Sequence, residues 1–281
     1  MRIALVTCER PIERDEDIDF LVPALLGSGI EVDTPGWSDP AVDWGSYRLA
    51  MLSSTWDYHE RPEEFRRWLR GAAAATRLRN PLELVEWNLD KRYLRELAAA
   101  GVPTIPTVWC EPGGEVAAFE EVGRLGWRDV VVKPVIDLGA RNLVRIDAEL
   151  VPAMLKRFAV PTMLQPFLPS VVEEGELSLV YIGGQLSHAL RKQPARGDFR
   201  VQPQYGGTHV RTDPSPEATD IASRAIAAAP GSPLYARVDL LADSRGALAV
   251  IELELIEPAL YLDVEPASAR TLARALLAEA A

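Results

Sequence analysis

Acidic and basic side chains alternate along two apolar segments near the end of the chain, on either side of a turn at residues 243–246. If the first segment is a β-strand, Arg237 and Asp239 lie on the same face of it. If the second is also a strand, Glu252 and Glu254 share one of its faces as well. The two strands together would bring three carboxylates and a guanidinium into one small region.

Three carboxylates between apolar strands are costly to bury unless a counter-charge meets them. A hard divalent cation bound through oxygen ligands is the usual counter-charge, and Mg²⁺ keeps coordination positions open for nucleotide phosphates. The pattern therefore predicts that Asp239, Glu252 and Glu254 bind Mg²⁺. The alternative is a hairpin edge whose acids point outward to water, because alternation does not say which face is buried.

Two lysines are candidates for binding an anion. Lys133 ends a β-branched apolar run, and a lysine buried there needs an anionic partner. The loop that follows it, residues 137–142, has one glycine, and its backbone N–H groups could cover a phosphate. The alternative is that Lys133 extends to solvent, and Lys91, at the start of a predicted helix, also fits a solvated surface position.

A second basic group lies in a glycine-rich stretch. Lys192 and Arg200 are separated by a loop that contains Gly197, and the pair Gly206 and Gly207 follows. The glycines allow close backbone approach, and the two cations could neutralise a phosphoryl group during its transfer. The alternative is a mobile, positively charged surface loop.

The first eighty residues alternate between strand and helix patterns, which predicts a small parallel sheet covered by helices. Ligands of such sheets bind beyond the carboxyl ends of the strands, where two polar and aromatic clusters follow. No GxGxxG follows the first strand, so a dinucleotide site is excluded. The clusters predict these substrate-pocket residues: Cys8, Arg10, Trp56, Asp57 and Tyr58. The alternative is that Trp56 and Tyr58 are core residues and that Asp57 caps a turn.

Patterns in the rest of the chain predict a compact α/β unit over residues 107–160 and a hairpin over 176–190. A helix is expected over residues 90–100 and another over 217–229. The final predicted helix, residues 268–281, would be capped by Ser268.

Composition excludes several classes of protein. The net charge of −11 comes with no basic run, which argues against a general nucleic-acid binder. No apolar run approaches the ~20 residues needed to span a bilayer, and charged residues follow the first strand too soon for a signal peptide. Two cysteines do not make a disulfide framework. We expect a cytoplasmic protein that acts without a membrane or nucleic-acid partner.

Taken in order along the chain, these motifs resemble the ATP-grasp ligases, particularly the branch with glutathione synthetase and ribosomal-protein glutamyl ligase. Segments at 54–58, 87–91, 197–200 and 252–258 are also similar to the cycloserine-forming (O-ureidoserine) cyclo-ligase group. The resemblance covers the whole chain and is strongest over residues 91–258. It implies an α/β fold with α+β lobes in three parts: an N-terminal α/β pre-ATP-grasp domain (1–85), a central lid lobe (86–165) and a C-terminal metal-binding lobe (166–281).

The resemblance also implies roles for single residues. Lys91 and Lys133 would hold the α- and β-phosphates of ATP, and Glu176 would bond the ribose, with Glu173 as the alternative. The hinge that pairs with adenine would be Gln165, Pro166, Phe167 and Leu168. The ligands of one or two Mg²⁺ ions would be Asp239, Glu252 and Glu254. Arg237 and Arg200 would stabilise the acyl phosphate and the tetrahedral intermediate, and Lys192 would contact the γ-phosphate.

Two positions depart from the related sequences. Glu254 stands where the wider superfamily most often has Asn, and Ser53 stands where cyclo-ligase relatives tend to have Arg. An arginine can clamp a carboxylate bidentately, a role that Arg10 could take over here.

The expected activity is that of an ATP-dependent carboxylate–amine ligase, with a small amino-acid-like molecule as its substrate. It would activate the carboxylate as an acyl phosphate and release ADP and phosphate on forming the amide. The alternatives are an intramolecular cyclo-ligase and a nucleotide-binding protein without ligase activity, and a homodimer is left open.

Overall fold

The structure is a computed structural model that describes residues 1–9 and 15–280. Its first sheet is parallel, with strand order β2-β1-β3-β4. The strands are Arg2–Thr7 (β1), Glu31–Asp33 (β2), Leu49–Ser54 (β3) and Arg77–Arg79 (β4). The flanking helices are Glu16–Leu26 (α1) and Pro62–Ala75 (α2). β1 and β3 are apolar and buried, as parallel strands covered on both faces must be, so the predicted parallel sheet is confirmed.

Two short helices lead into the second sheet, Leu82–Asn88 (α3) and Tyr93–Ala99 (α4). The prediction of one helix over residues 90–100 was wrong at its start and missed α3. Asp90 lies in a turn, where its carboxylate accepts a hydrogen bond from the Arg92 N–H at 2.9 Å. An acidic side chain that bonds the backbone two residues ahead favours a turn over a continuing helix.

The second sheet is antiparallel, with strand order β5-β8-β6-β7. Its strands are Val108–Cys110 (β5), Asp129–Pro134 (β6), Val144–Asp147 (β7) and Thr162–Pro166 (β8). The helices of this lobe are Glu115–Arg124 (α5) and Val151–Phe158 (α6). Val122 of α5 and Leu155 of α6 pack in one core cluster with Val130 and Val132 of β6. The two helices therefore cover the sheet and fix the strand that ends in Lys133.

The third sheet is also antiparallel, with strand order β11-β10-β9-β12-β13. Its strands are Glu176–Ile182 (β9), Gln185–Gln193 (β10), Thr208–Thr212 (β11), Tyr235–Ala242 (β12) and Leu248–Glu254 (β13). Helix Ser170–Glu173 (α7) precedes β9, and helix Pro216–Ala227 (α8) precedes β12. The β9–β10 turn uses Gly183 and Gly184, both with positive φ, so the predicted hairpin is confirmed.

The last helix is Ala267–Ala280 (α9). Ser268 is its second residue, and its hydroxyl donates to the Glu265 carbonyl at 2.5 Å. Ser268 is therefore inside the first turn, and the prediction that it caps the helix was wrong. Leu272 and Leu276 of α9 pack against Val180 and Leu190 of the third sheet. No helix among residues 1–9 and 15–280 is long and apolar enough to cross a bilayer.

Buried asparagines attach the end of β13 to the chain before α4. Asn80 donates to the Tyr235 carbonyl at 2.9 Å and to the Leu255 carbonyl at 2.7 Å. Asn88 donates to the Leu253 carbonyl and accepts from the Leu255 N–H, both at 2.8 Å. Because these bonds satisfy buried backbone groups on both sides of residue 254, the segment that carries the acidic side chains is held rigidly.

Candidate active site

A cavity of about 750 Å³ lies where the three sheets meet. Its lining includes most of the residues predicted for the site: Trp56, Tyr58, Lys91, Lys133, Gln165, Pro166, Phe167, Leu168, Glu176, Lys192, Arg200, Arg237, Glu252 and Glu254. Single motifs from distant parts of the sequence thus converge on one concave surface, which is typical of a small-molecule site.

Two lysines share one carboxylate on the wall of the cavity. Lys91 Nζ lies 2.9 Å from Glu252 Oε1 and donates to the Asp137 carbonyl at 2.6 Å. Lys133 Nζ lies 4.0 Å from Glu252 Oε2, and both lysines are 8% exposed. The alternative that these lysines extend into solvent is therefore wrong. Their partner comes from β13, far away in the sequence.

Burial shifts the pKa values in this group in different directions. Burial lowers the pKa of Lys133, and the attraction of Glu252 only partly offsets it. Burial would raise the pKa of Glu252, but the adjacent Lys91 and Lys133 outweigh it and hold that pKa below its usual value. Lys133 is therefore the cation with the weaker compensation, and an incoming anion would stabilise its charged form.

Arg237 joins the other two carboxylates. In the β12–β13 register, Arg237 lies opposite Glu254, and Asp239 lies opposite Glu252. Arg237 Nε is 3.0 Å from Asp239 Oδ1, Nη2 also bonds Glu254, and Nη1 donates to the Ala259 carbonyl at 2.9 Å. The predicted alternation is confirmed. Glu252 and Glu254 line the cavity, and Asp239 is buried beside Arg237 and Lys192 rather than exposed to water.

The pKa values of the two carboxylates bonded by Arg237 shift in opposite directions. Burial would raise the pKa of Asp239, but Arg237 and Lys192 outweigh it and lower that pKa. For Glu254 burial prevails over the attraction of Arg237, and its pKa rises to about 7. Glu254, the acid in place of the usual Asn, is therefore the one whose charge depends most on a further cation.

Lys192 is the most enclosed of the predicted cations, with 3% of its surface exposed. Its Nζ pairs with Glu176 and lies 3.4 Å from Asp239 Oδ2. Asp239 also accepts a 2.5 Å hydrogen bond from the Ser178 hydroxyl. Glu173, the alternative to Glu176 for the ribose, is on the exposed side of α7 and outside the cavity lining. The alternative that Glu173 binds the ribose is therefore wrong, because a residue on the outer face of that short helix cannot contact a ligand in the cavity.

The segment predicted as the hinge lies at the end of β8. Gln165 donates to the Thr107 hydroxyl at 3.0 Å, and the Phe167 N–H donates to the Asp129 carbonyl at 2.9 Å. The Arg145 guanidinium covers the Phe167 ring at 3.5 Å from its centroid. Since the N–H and one ring face of Phe167 are engaged, Leu168 is the member of this segment better placed to meet a ligand.

The glycine-rich stretch is folded against the cavity rather than extending from the surface as a loose loop. Arg200 pairs with Asp198 at 2.7 Å, and its guanidinium lies 3.6 Å from the centroid of the Tyr205 ring. A Cβ on Gly207 would come within 2.0 Å of the Val201 carbonyl oxygen. The close backbone approach that was expected from the glycines is therefore present at Gly207, where no other residue fits.

The predicted substrate cluster is only partly brought together. Trp56 and Tyr58 line the cavity, whereas Cys8 is buried in the core of the first sheet. Asp57 accepts from Trp37 Nε1 at 2.6 Å and pairs with Arg61 at 3.0 Å.

These contacts correct two predictions. Cys8 does not contact the pocket, because its side chain turns into the apolar layer beneath the sheet. Asp57 does not meet a substrate ammonium, because Trp37 and Arg61 already use its carboxylate away from the cavity. Arg10 lies outside the described residues.

Asp137 and Glu257 are among the cavity residues that the sequence did not predict. The Asp137 backbone carbonyl accepts a hydrogen bond from Lys91. The Asp137 carboxylate accepts one from the Asn142 side chain at 2.8 Å, and this bond shapes the loop over Lys133. Glu257 is buried in the cavity wall, and burial together with the nearby Glu254 raises its pKa well above the usual value. Its position three residues after Glu254 was the available signal, but the end of the strand could not be located from the sequence.

The donor set was tested against the chemistry of a divalent cation. No three His, Cys, Asp or Glu side chains in the described part of the chain are arranged to enclose a metal ion, since lysine and arginine engage the carboxylates. The available donors are nevertheless carboxylate oxygens on neighbouring positions of β12 and β13, the ligand type that Mg²⁺ prefers. The carboxylates of Asp239, Glu252 and Glu254 are therefore of the ligand type that suits Mg²⁺.

Comparison with known proteins gives the class of this chain. Residues 3–80 match the family model described as D-cycloserine synthetase DcsG, N-terminal domain, and residues 104–241 match the model for prokaryotic glutathione synthetase, ATP-grasp domain. The D-alanine–D-alanine ligase of Bacillus anthracis has the same fold, with a TM-score of 0.73 at 15% identity over 100% of this chain and 97% of that one. The chain belongs to the ATP-grasp ligases, and it is an ADP-forming enzyme that makes C–N bonds.

Within that class the chain is similar to a particular relative over its full length. It is 33% identical to the cycloserine biosynthesis protein DcsG of Streptomyces lavendulae, covering 98% of this chain and 97% of that protein. The crystal structure of D-cycloserine synthetase DcsG superposes with a TM-score of 0.91 at 31% identity, over 100% of both chains. The resemblance and the fold class predicted from the sequence are confirmed.

Proposed function

We propose that this ligase activates a small amino-acid-like carboxylate as an acyl phosphate and joins it to an amine. The observation that carries the proposal is the pair of buried cation clusters on one cavity, Lys91 with Lys133 and Lys192 with Arg237. Phosphoryl transfer needs positioning and neutralisation of charge more than a protein nucleophile, and these clusters supply both.

The nucleotide phosphates would lie between Lys91 and Lys133. Glu252 is the only carboxylate that the structure pairs with either lysine among the described residues, so ATP would bring additional negative charge to an under-compensated pair. Adenine would bind at the Leu168 end of the hinge, because the Phe167 N–H is already engaged. Glu176 would contact the ribose after its pairing with Lys192 loosens.

The substrate carboxylate would attack the γ-phosphate beside Lys192, and the amine would then displace phosphate from the acyl phosphate. Arg237 is positioned by Asp239 and the Ala259 carbonyl, so its guanidinium is ready to stabilise the developing oxyanion. Arg200 would act on the same charge from the opposite side of the cavity. Asp239, Glu252 and Glu254 would hold one or two Mg²⁺ ions, whose charge offsets the repulsion between the phosphates.

Glu254 gives a direct test of the Mg²⁺ assignment. We expect Glu254→Gln to raise the Mg²⁺ concentration for half-maximal ATPase activity about tenfold or more, because a neutral amide replaces an anionic ligand of a hard cation. Glu252→Gln and Asp239→Asn should be at least as damaging. A Mg²⁺ titration at fixed ATP measures this, with Glu120→Gln on the exposed side of α5 as the charge-matched control. A Glu254→Gln titration curve equal to that of the wild type would overturn the assignment.

The acid substrate would bind between Trp56, Tyr58 and the C-terminal lobe. Trp56 and Tyr58 offer apolar walls with a polar edge. Arg10 as a carboxylate clamp, a cytoplasmic location and a homodimer all stay predictions from the sequence.

A cyclo-ligase that closes a ring within one molecule is the second candidate, favoured by the full-length similarity to DcsG. Ser53, where an arginine was expected in that group, donates to Asp15 at 2.8 Å and is buried. The substrate carboxylate therefore meets a different surface at this position.

One screen tests the proposed function and separates the two candidates. Amino acids are offered singly and in pairs with ATP and Mg²⁺, and ADP, AMP and phosphate are quantified. Ligation between two molecules predicts ADP formation that needs both partners, and cyclisation predicts full turnover with one compound alone. Accumulation of AMP in place of ADP would contradict attack at the γ-phosphate.

A further inference from the structure

Glu257 is a buried acid in the cavity wall to which no role has yet been assigned. It follows β13 by three residues, is 4% exposed, and is among the residues that line the cavity. Its Oε2 atom has no hydrogen-bond partner among the described residues. A buried carboxyl oxygen without a donor is costly, so a donor arriving in the cavity would remove that cost.

The residues around Glu257 hold it in place but do not satisfy all the hydrogen-bonding capacity of its carboxyl group. The Trp56 ring nitrogen donates to the Glu257 backbone carbonyl at 3.2 Å, and the Tyr58 hydroxyl partly opposes the rise in the pKa of the Glu257 side chain. On the preceding residue, the Ile256 carbonyl accepts from the Tyr235 hydroxyl at 2.8 Å. The backbone of this segment is therefore anchored to residues of the first and third sheets, and the buried Oε2 of Glu257 lacks a donor among the described residues.

The position of Glu257 indicates which part of a ligand it would meet. Glu257 lines the same cavity as Arg237 and Glu254, which are bonded to each other. Under the proposed function, the acyl phosphate forms beside Arg237. A group held by Glu257 would then lie next to the activated carbonyl, which is where the attacking nitrogen has to be.

We infer that Glu257 binds the amine nucleophile of the ligation, by accepting an N–H bond from it. The inference rests on the proposed function, and it makes the second substrate an N–H donor: a primary amine, or a nitrogen with equivalent N–H groups within the same molecule. The nitrogen keeps its lone pair directed at the acyl carbon while an N–H points at the carboxyl group. The C–N bond forms as the C–O bond to phosphate breaks, and the departing phosphate takes up the proton lost from nitrogen, which leaves the amide.

Hydroxylamine serves as the probe because it is a small nitrogen nucleophile that converts an acyl phosphate into a hydroxamate. With saturating ATP, Mg²⁺ and an acid that supports ADP formation, the measured quantity is hydroxamate formed per ADP as hydroxylamine is raised. This ratio reports how the intermediate partitions between hydroxylamine and water, and it is independent of the rate at which the intermediate forms. Binding of a non-hydrolysable ATP analogue is measured in parallel.

We expect Glu257→Leu to raise the half-saturating hydroxylamine concentration about 5- to 100-fold, the effect of leaving a buried N–H without its acceptor. Glu257→Gln keeps an acceptor of the same shape and should fall between Glu257→Leu and the wild type. ATP-analogue affinity should be unchanged in both variants, and Glu120→Gln should match the wild type in every measurement. The near-isosteric Glu257→Gln keeps the test valid if the leucine variant fails to fold.

The outcomes separate this inference from the proposal on which it rests. Equal hydroxylamine dependence in the wild type and both variants would overturn the role of Glu257 and leave the ligase function standing. Loss of ATP-analogue binding in Glu257→Gln would also overturn it, since the residue would then belong to the nucleotide site. ADP formation by the wild type without any hydroxamate would contradict the inferred amine site. Absence of acid-dependent ADP formation would overturn both proposals.

Discussion

We expect Arg237→Lys to lower kcat about 10²- to 10³-fold while ATP affinity stays within about threefold. Arg237 bonds Asp239 and Glu254 at once and directs its guanidinium at the proposed site of the acyl phosphate. Lysine keeps the positive charge, so the two buried carboxylates are not left without a cation, but it loses the planar set of donors. Steady-state kinetics together with calorimetry of a non-hydrolysable ATP analogue measure the two effects separately.

Arg224→Lys is the matched control, because Arg224 is a surface residue of α8 that pairs with Asp220 at 3.5 Å. It should retain wild-type kcat. Wild-type kcat in Arg237→Lys would show that the planar guanidinium contributes nothing to the transition state. A large loss of ATP affinity with unchanged kcat would move Arg237 to the nucleotide phosphates.

The second large effect is expected at Lys133. Lys133→Ala should weaken binding of the ATP analogue about 10- to 100-fold, the cost of losing a charge-assisted hydrogen bond to phosphate. The nearest carboxylate, Glu252, is 4.0 Å from the ammonium and is shared with Lys91, so the charge of Lys133 is poorly compensated until an anion binds. Calorimetry in the presence of Mg²⁺ measures the change.

Lys156→Ala, on the exposed side of α6, removes the same charge from the same lobe and should leave the affinity unchanged. Unfolding curves of both variants establish that the fold is retained. An affinity of Lys133→Ala equal to that of Lys156→Ala would exclude Lys133 from the site.

The acidic hairpin of β12 and β13 was predictable from the sequence because its signal is local. A period of two along β12 and β13 determines which residues share a face, and Arg237, Asp239, Glu252 and Glu254 are opposite one another as expected. Resemblance to the ATP-grasp ligases then indicated that this face is the buried one. Lys133 was singled out by its position at the end of a strand. The phosphate-binding roles of Lys91 and Lys133 were predicted from the resemblance in the order of motifs along the chain.

The contacts of single side chains at strand ends were not predictable. Cys8 and Asp57 follow parallel strands as expected, but the rotation of the chain after each strand decides whether a side chain enters the cavity or the core. Asp57 is engaged by Trp37 and Arg61, a triangle that no local pattern reveals. Glu257 was left out of the predicted site for the same reason, since β13 ends at Glu254 and the turn after it brings Glu257 back to the cavity.

The ion-pair partners of the buried cations could not be predicted from the sequence either. The ion pair of Lys133 with Glu252 joins residues that are 119 positions apart. Such pairs depend on how the second and third sheets are placed relative to each other. That placement is set by the packing of α3, α4 and the buried asparagines rather than by any motif.

The central claim is that a substrate carboxylate attacks the γ-phosphate of ATP, and oxygen-isotope transfer tests it most directly. The acid that supports ADP formation is prepared with ¹⁸O in its carboxyl group and turned over to completion with unlabelled ATP. Attack by the carboxylate predicts one ¹⁸O atom in each inorganic phosphate released with ADP, because the acyl phosphate breaks at its C–O bond. Unlabelled phosphate, or label recovered in AMP, would contradict the account.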